Sequence, residues 1–315
     1  MEEKIVIITG ANSGIGKDAT IQFAKAGYTV VMACRNFEKS RQMWEEITTE
    51  TGNKSIDLMT LDTSSSDSIR TFATAFKNKY EKLDILIHNA AYFNHGHPYQ
   101  LSTDGIELTF ATNLFGPYLL SMQLYEFLKK SDDPRILHAG SNIIKNFFNP
   151  GLKIDFDHLH EENQTKKTFS VYNSYRDSKM ALLMLTMKLA EEFQNDGIKV
   201  NMLEINGAKM SKETLRKFKP RFRVIAMIQN LYFPTTETMA ENYYEICTSD
   251  RFKDTNGKLF NHKLGIMQPA QNNPNFKAQF THLFGIEVYP NYAHDPETIE
   301  KVWQLCVELI QYQRM

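Results

Sequence analysis

A tyrosine and a lysine four residues apart have the spacing in this sequence that most directly suggests chemistry. Tyr175 and Lys179 lie in the stretch 174–193, whose apolar residues recur with a helical period. Residues four apart share one face of a helix, so a phenol would stand beside an ammonium group. We expect the positive charge to lower the tyrosine pKa from its usual value of about 10, so that Tyr175 could transfer a proton near neutral pH. The alternative is a surface pair without a catalytic role, because the spacing alone is common.

Two other hydroxyl groups bear on this choice. Tyr172 has Arg176 four residues on, but it lies at the edge of the predicted helix and is the weaker candidate. Ser141 follows the apolar stretch 135–139, which reads as a strand. Ligands of open α/β sheets bind at the carboxyl edge of the strands. A serine at such a strand end therefore favours the catalytic interpretation of Tyr175.

A glycine-rich turn near the start of the chain would position a cofactor for this chemistry. Gly10, Gly14 and Gly16 follow the apolar stretch 4–8 and precede a helical pattern, so they lie where a strand passes into a helix. Glycines permit a tight turn and a close approach of backbone to ligand, and the helix start offers free N–H groups to a phosphate. The spacing differs from the usual dinucleotide fingerprint, and a turn without any ligand is the alternative.

The end of the second predicted strand bears on which dinucleotide could bind. Sites that prefer NAD place an acidic residue there to bind the ribose hydroxyls. The strand 28–33 is followed by Cys34 and Arg35, with no acid. Arg35 could pair with a 2′-phosphate, and Lys17 on the glycine turn lies near the same place. We therefore expect NADP(H) rather than NAD(H), with two solvated surface cations as the alternative.

The rest of the chain alternates apolar strands with helical patterns. This rhythm predicts one α/β domain with a parallel sheet and helices on both faces. Strands are expected at 4–8, 28–33, 55–61, 83–88, 135–139 and 198–204, and helices at 37–52, 65–80, 103–128 (two helices around Asn113), 174–193 and 296–310.

Composition excludes several classes of protein. The chain has 315 residues and a net charge of -1, which gives no global attraction to nucleic acid. No apolar run is long enough to span a bilayer, and the first strand begins at Lys4, which leaves no room for a signal peptide. Cys34, Cys247 and Cys306 are few and far apart, as expected of buried thiols in a reducing compartment. We therefore expect a cytoplasmic protein without a metal site.

Taken together, the motifs resemble those of the short-chain dehydrogenase/reductase family and, within it, the retinol dehydrogenase-like group. The stretches that carry the resemblance are 9–16, 33–35, 61–62, 89–90, 104–105, 113–116, 141, 154–159, 175–179, 206–207 and 256–260. The resemblance implies a Rossmann-type doubly wound parallel sheet of about seven strands in the order 3-2-1-4-5-6-7, forming a single domain over residues 1–315. It also implies an oxidoreductase that transfers a hydride between NADP(H) and a lipophilic aldehyde, ketone or alcohol.

The family's functional residues carry over by position. The resemblance implies a catalytic set of Asn113, Ser141, Tyr175 and Lys179. Ser141 would hold the substrate oxygen, Tyr175 would exchange its proton, and Asn113 would hold Lys179 through a water. The implied cofactor contacts are Gly10, Asn12, Ser13, Gly14, Ile15, Arg35, Asp62, Thr63, Asn89, Ala90, Tyr175, Lys179, Asn206, Gly207 and Ser211. A homodimer through helices at about 114–130 and 174–193 is implied by analogy alone.

Departures from the family pattern cluster near the expected nicotinamide site. Ala91 replaces a glycine, Asn206 replaces a proline, and Lys209 replaces an apolar residue. His88 stands where the family usually has Asn, and the strand before the catalytic serine, which usually ends Ser-Ser, reads His-Ala-Gly-Ser over residues 138–141. These changes motivate a second hypothesis, a catalytically impaired dinucleotide-binding regulatory protein with the same fold. The complete catalytic set argues against it.

Two further segments have no match in the core motifs. The basic and apolar stretch near 209–235 is expected to form a lid over an apolar substrate, or to make weak contact with an anionic membrane surface. Residues 265–295, rich in Pro, Asn and aromatics, are expected to form an extra loop on the seventh strand.

Overall fold

The order of β-strands in the main sheet explains how distant residues meet. The computed structural model describes residues 3–93, 98–160, 169–206, 234–271 and 285–312. The strands in this part of the chain are β1 (Ile5–Thr9), β2 (Thr29–Cys34), β3 (Ile56–Thr60), β4 (Ile85–His88), β5 (Arg135–Ala139), β6 (Lys199–Leu203), β7 (Leu259–Phe260), β8 (Gln268–Pro269) and β9 (Val288–Tyr289). Strands β1 to β7 form one parallel sheet in the order β3-β2-β1-β4-β5-β6-β7. The predicted strand order is confirmed.

Helices connect these strands and cover both faces of the sheet. Their bounds in the described ranges are α1 (Gly14–Lys25), α2 (Phe37–Thr51), α3 (Ser66–Lys79), α4 (Leu108–Phe110), α5 (Gly116–Leu128), α6 (Val171–Glu192), α7 (Thr236–Thr248) and α8 (Pro296–Tyr312). A π-helical segment, Ala111–Phe115, joins α4 to α5. Helix α6 begins three residues earlier than predicted because the Ser170 side chain caps it by accepting from the Asn173 N–H. Tyr172 therefore lies in the first turn.

Strand residues alternate between two apolar cores. Ile5 and Ile7 face the core shared with α3, α5, α6 and α8, whereas Val6 and Ile8 face the core shared with α1, α2 and α7. All five residues of β1 are buried, as expected of a central parallel strand covered on both faces. The three cysteines are buried free thiols, as the sequence predicts. A rigid sheet therefore fixes the positions of the strand ends that carry the candidate site.

Helix α8 packs against α5 and α6, the two helices through which family analogy suggested a homodimer. Trp303 of α8 lies edge-on against Tyr118 of α5, with ring centroids 5.5 Å apart, and Lys188 of α6 lies 5.8 Å from the Trp303 ring. Val302 and Cys306 are buried in the same core. Part of the face that a second copy would use is thus covered by this chain's own helix.

The extra segment after the seventh strand is closed at its base. Strands β8 and β9 pair in parallel, so residues 268–269 and 288–289 meet. The intervening residues 272–284 lie outside the described ranges. Residues 207–233, which include most of the lid predicted near 209–235, also lie outside them. No helix in the described ranges combines the length and apolar character needed to cross a membrane.

Candidate active site

A cleft of about 1080 Å³ runs along the carboxyl edge of the sheet and collects most of the predicted site residues. It slightly exceeds the ~1,000 Å³ that bounds most small-molecule sites, as a dinucleotide with a substrate would require. The predicted residues that line it are Gly10, Asn12, Ser13, Ile15, Arg35, Asp62, Thr63, Asn89, Ala90, Ser141, Tyr175, Lys179 and Asn206. Gly14 and Asn113 do not line it, and Gly207 and Ser211 lie outside the described ranges.

The glycine turn forms one end of this cleft. Gly10 has a φ of 65°, which favours glycine, and its N–H donates to the Ala33 carbonyl at 2.9 Å. A Cβ on Gly16 would lie 2.3 Å from the Gly10 carbonyl oxygen. The close approach of the turn and the first helix therefore requires glycine at this position. The sequence interpretation of these glycines is supported by a specific close contact of backbone with backbone.

The start of α1 has the features of an anion site. Ser13 caps the helix with extended backbone, but its hydroxyl makes no capping hydrogen bond. The first turn contains no acidic residue, and the helix is 12 residues long. Its free N–H groups and the positive end of its dipole point toward the cleft wall formed by Ser13 and Ile15. These residues fit a pyrophosphate group.

Two predicted cofactor contacts hold the turn in place instead of offering free side chains. The Asn89 amide donates to the carbonyls of Thr9 and Gly10 at 2.9 and 3.3 Å, and its Oδ1 accepts from the Tyr243 hydroxyl at 3.2 Å. The Asn12 amide donates to Ser40 Oγ at 2.8 Å. Both side chains border the cleft, so their contribution to binding would come through the shape of the turn.

Two cations line the adenosine end of the cleft, and one was missed from the sequence. Arg35 and Lys39 are exposed and border the cleft, whereas Lys17 does not line it. Lys17, which the sequence placed near Arg35, is not part of the cleft lining, whereas Lys39 is. Lys39 lies in the first turn of α2, where its N–H donates to the Asn36 side chain at 2.9 Å. Asn36 before an amphipathic stretch is a signal for a helix cap, and this cap places Lys39 in the first turn of α2.

Asp62 and Thr63 also border the cleft near this end. The Asp62 carboxylate accepts from the N–H and the hydroxyl of Ser64 at 2.9 and 2.6 Å, and the Asp62 N–H donates to Ser68 Oγ at 2.9 Å. This local turn leaves Asp62 little freedom to move. The strand end is thus shaped before any ligand binds.

Ser141 and Tyr175 meet at the other end of the cleft. Both residues line the cleft, and the Ser141 side chain interacts with the Tyr175 phenol and opposes the rise in its pKa that burial causes. Ser141 is buried directly after β5 and caps a 3₁₀ segment, Asn142–Phe148, through a long hydrogen bond from the Ile143 N–H at 3.3 Å. The sheet edge and α6 therefore bring together the two hydroxyls that the sequence separated by 34 positions.

The structure corrects the expected charge state of the tyrosine. Burial raises the pKa of Tyr175, and the Ser141 hydrogen bond offsets this only in part. Lys179 Nζ lies 5.8 Å from the Tyr175 ring centroid and donates to the Ala139 carbonyl at 2.8 Å. Burial also lowers the pKa of Lys179 to about 8. The prediction that Lys179 lowers the tyrosine pKa is wrong for this geometry, so Tyr175 is protonated at neutral pH.

Asn113 acts on α6 from behind the cleft. It lies in the π-helical segment, a feature that often marks functional sites. Its amide donates to Ser178 Oγ and to the Tyr92 carbonyl, both at 3.1 Å, and its Oδ1 accepts from the Tyr92 N–H at 2.7 Å. Ser178 precedes Lys179 on α6. Asn113 therefore locks the lysine-bearing turn to the loop after β4 by direct hydrogen bonds.

Two further aromatic side chains lie at the catalytic end, and the sequence analysis did not single out one of them, Phe93. Phe93 lies against Tyr175, with ring centroids 4.4 Å apart and ring planes tilted by 34°, and both residues border the cleft. Tyr172 borders it as well, and its hydroxyl accepts from the Asn146 amide at 3.3 Å. Position after β4 was the only signal for Phe93, since a lone aromatic in a loop has no distinctive spacing.

Comparison with known proteins agrees with this geometry. The family model for short chain dehydrogenase matches residues 4–149. Human retinol dehydrogenase 13 is 31% identical over 280 residues, covering 85% of this chain and 78% of that protein. The chain belongs to the short-chain dehydrogenase family. Mouse retinol dehydrogenase 13 is 36% identical over 200 residues, covering 64% of this chain and 57% of that protein, which supports the retinol dehydrogenase-like group.

A solved member of the short-chain dehydrogenase family shares the fold at low identity. The short chain dehydrogenase of Escherichia coli CFT073, complexed with NADPH, superposes with a TM-score of 0.62 at 22% identity, covering 84% of this chain and 98% of that chain. At this identity the likeness speaks for the fold alone. Family membership makes the present chain a short-chain dehydrogenase-type oxidoreductase.

Proposed function

We propose that this chain is an NADP(H)-dependent reductase or dehydrogenase of lipophilic aldehydes, ketones or alcohols. The observation that carries the proposal is the position of Ser141 and Tyr175, which line the same cleft as the glycine turn. One end of the cleft suits a pyrophosphate and the other suits a carbonyl oxygen. The names of the relatives, retinol dehydrogenases, support a lipophilic substrate for this chain.

The side chains at the catalytic end support reduction most directly. A reduced nicotinamide, when bound, supplies the hydride. Ser141 donates a hydrogen bond to the carbonyl oxygen of the substrate and orients it. Tyr175 donates its proton to that oxygen as charge develops there, and its raised pKa keeps the proton in place until then. In oxidation Tyr175 would take the proton back, so the direction depends on cofactor supply.

Arg35 and Lys39 support NADP(H) over NAD(H). Both border the cleft beside the strand end that carries no acid. A guanidinium group and an ammonium group there would form charge-assisted hydrogen bonds to a 2′-phosphate, which are stronger than those to a neutral ribose hydroxyl. The cofactors of structural neighbours point the same way, since the Escherichia coli protein was solved with NADPH.

Phe93 and Tyr172 support a substrate with apolar or planar surface. The Phe93 side chain is 45% exposed and that of Tyr172 is 42% exposed, although both border the cleft. A substrate lying between them and Ser141 would cover this apolar surface. Retinal-like and steroid-like carbonyl compounds meet that requirement.

Working as a monomer fits the packing of α8 better than the homodimer suggested by analogy. Because Trp303 covers part of α5 and α6, a dimer would have to use the remaining surface of these helices. Membrane-surface contact through the basic segment 209–235 and a cytoplasmic location remain proposals from sequence, since residues 209–233 lie outside the described ranges. Sedimentation of the protein alone tests whether it is a monomer, and sedimentation with anionic liposomes tests the membrane-surface contact.

Absorbance of NADPH tests the function directly. Purified protein is mixed with NADPH and a panel of aldehydes and ketones of rising apolar size, and the same panel is repeated with NADH. We expect faster consumption of NADPH, with kcat/KM rising with apolar size. NADPH binding without turnover on any member of the panel would favour the second hypothesis, a regulatory protein that senses the dinucleotide.

A further inference from the structure

A buried ion pair lies at the catalytic end of the cleft, outside the predicted catalytic set. Lys145 belongs to the 3₁₀ segment that begins directly after Ser141, and Glu204 directly follows β6. Lys145 Nζ lies 3.1 and 3.2 Å from the two carboxylate oxygens of Glu204. Glu204 is fully buried. Lys145 is 7% exposed and borders the cleft.

Burial of two charges needs a compensating gain, since desolvation costs several kcal/mol per ion. Burial raises the pKa of Glu204, and Lys145 and the Asn206 side chain offset part of that rise. Lys145 Nζ also donates to the Gly285 carbonyl at 3.0 Å. Three separate chain segments, the one after Ser141, the one after β6 and the one before β9, therefore converge on one ammonium group.

The network continues from the pair to the end of β7. The Glu204 N–H donates to the Phe260 carbonyl at 2.7 Å. The Asn206 amide is paired with His262 Nδ1 at 2.9 Å, and the His262 carbonyl accepts from Asn242 at 2.8 Å. Asn206 occupies the position where the family resemblance expects a proline. Side-chain ties here fix a turn that a rigid proline would otherwise fix through its backbone.

The hydrogen bonds made by the first backbone N–H groups of the Ser141 segment are long. The Asn142 N–H reaches the Ile205 carbonyl at 3.2 Å, the Ile143 N–H reaches Ser141 Oγ at 3.3 Å, and the Ile144 N–H reaches the Ser141 carbonyl at 3.4 Å. Each is longer than the usual 2.9–3.0 Å of an N–H···O bond. The ion pair is charge-assisted and adds a buried polar link between this segment and the end of β6.

We propose that Lys145 and Glu204 are positioning residues that hold the Ser141 segment against the turn at residues 204–206. With the pair intact, the Ser141 hydroxyl keeps its place beside Tyr175. Lys145 acts through this segment, because its ammonium group is committed to Glu204 and Gly285. The effect on turnover rests on the proposed reductase function, whereas the effect on the segment does not.

Amide hydrogen exchange and kinetics on three variants test the proposal. Lys145→Met leaves an unpaired buried carboxylate and should lower Tm strongly. The double variant Lys145→Met/Glu204→Gln removes both charges at similar volume and should recover most of that loss. In the double variant we expect faster exchange in peptides covering 141–148 and a kcat that is roughly ten- to a hundred-fold lower, the scale of a misplacement of about 1 Å. NADPH affinity should not change, and Lys145→Arg should retain both readouts.

Lys199→Met is the matched control at the opposite end of β6. Lys199 Nζ pairs with Asp133 Oδ1 at 3.2 Å, and Asp133 keeps a second partner in Arg135. This control should leave exchange in 141–148 and turnover unchanged. A stable double variant with wild-type exchange in 141–148, or with faster exchange but wild-type kcat, would overturn the positioning role. If wild-type protein turns over no carbonyl compound, the reductase function fails, and exchange alone still decides whether the pair holds the segment.

Discussion

The two ends of the cleft are built in different ways. The cofactor end consists mainly of backbone, namely the glycine turn and the start of α1, with the exposed cations Arg35 and Lys39 at its border. The catalytic end consists of side chains, and several are buried and ionisable. Lys179, Glu204, His88 and His138 are each at most 2% exposed. One end offers a shape, whereas the other depends on charges and protons whose positions must be held.

This contrast explains where the chain departs from its family. A backbone cradle tolerates few changes, since a Cβ at Gly16 would collide with the turn. Side-chain networks can be replaced by other networks of similar reach, and Asn206 with His262 illustrates this. Substitutions at the first end should therefore appear as loss of cofactor affinity, and substitutions at the second as loss of turnover.

Tyr175→Phe should give the largest separation of these readouts. It removes one hydroxyl at the catalytic end, so the fold and NADPH binding should persist. Turnover should fall by roughly two orders of magnitude or more, the scale of losing a positioned proton donor. Steady-state kinetics with the best carbonyl compound and NADPH titration by fluorescence measure the two effects.

Tyr172→Phe is the control for that experiment. Tyr172 borders the same cleft but is hydrogen-bonded to Asn146 and has no part in the Ser141 pair. We expect a changed KM at most. Wild-type turnover in Tyr175→Phe together with loss in Tyr172→Phe would show that the wrong tyrosine has been assigned.

Arg35→Asp should give the next largest effect, at the cofactor end. The carboxylate would repel a 2′-phosphate and accept from a ribose hydroxyl. We expect NADPH affinity to fall by about ten- to a hundred-fold, the scale of a charged hydrogen bond, with NADH affinity unchanged or higher and kcat nearly constant. Lys39→Ala should weaken NADPH alone, by less. Equal affinities for the two cofactors in the unmutated protein would remove the phosphate role of both cations.

Asn206→Pro tests the view that this turn is held by side chains. From the resemblance alone, the family's proline combined with Lys209→Val should raise turnover. The structure instead ties Asn206 to His262, so Asn206→Pro by itself should lower turnover by about fivefold, the scale of one neutral hydrogen bond. His262→Ala should have a similar effect, and the double variant should add little. A gain in turnover in Asn206→Pro would instead support the expectation from the family resemblance, in which a proline improves this turn.

Sequence patterns predicted the frame of this molecule well because strand and helix periods depend on neighbouring residues. The order of strands, the glycine turn between β1 and α1 and the meeting of Ser141 with Tyr175 all follow from that frame. Contacts between distant polar side chains have no such period. Lys145 and Glu204 are 59 positions apart, and nothing in either stretch indicates the other. The error over Tyr175 has the same origin, because spacing places Lys179 on the right face but cannot show that it points to Ala139.

A stacked pair of histidines beneath the catalytic end should give the smallest effect, seen in stability. His88 and His138 are register partners on β4 and β5, with ring centroids 4.9 Å apart. Each has one ring nitrogen bonded to a helix hydroxyl, Ser121 or Thr186, and its other ring nitrogen buried without a partner.

Burial lowers the pKa of His88 to about 3 and that of His138 well below its usual 6.5. The unfolded chain takes up these protons near pH 6.5 while the folded chain does not, so stability should be constant above that pH and fall as the pH drops toward 3. Thermal unfolding at pH 7 and pH 5 measures the slope. His88→Asn, which places the family's usual residue there, should reduce the fall in Tm, whereas His160→Asn on the surface should leave it unchanged. The Tm of His88→Asn could instead fall with pH as steeply as that of the wild type. In that case the histidines take up protons in the folded protein as readily as in the unfolded chain, or other groups control acid unfolding.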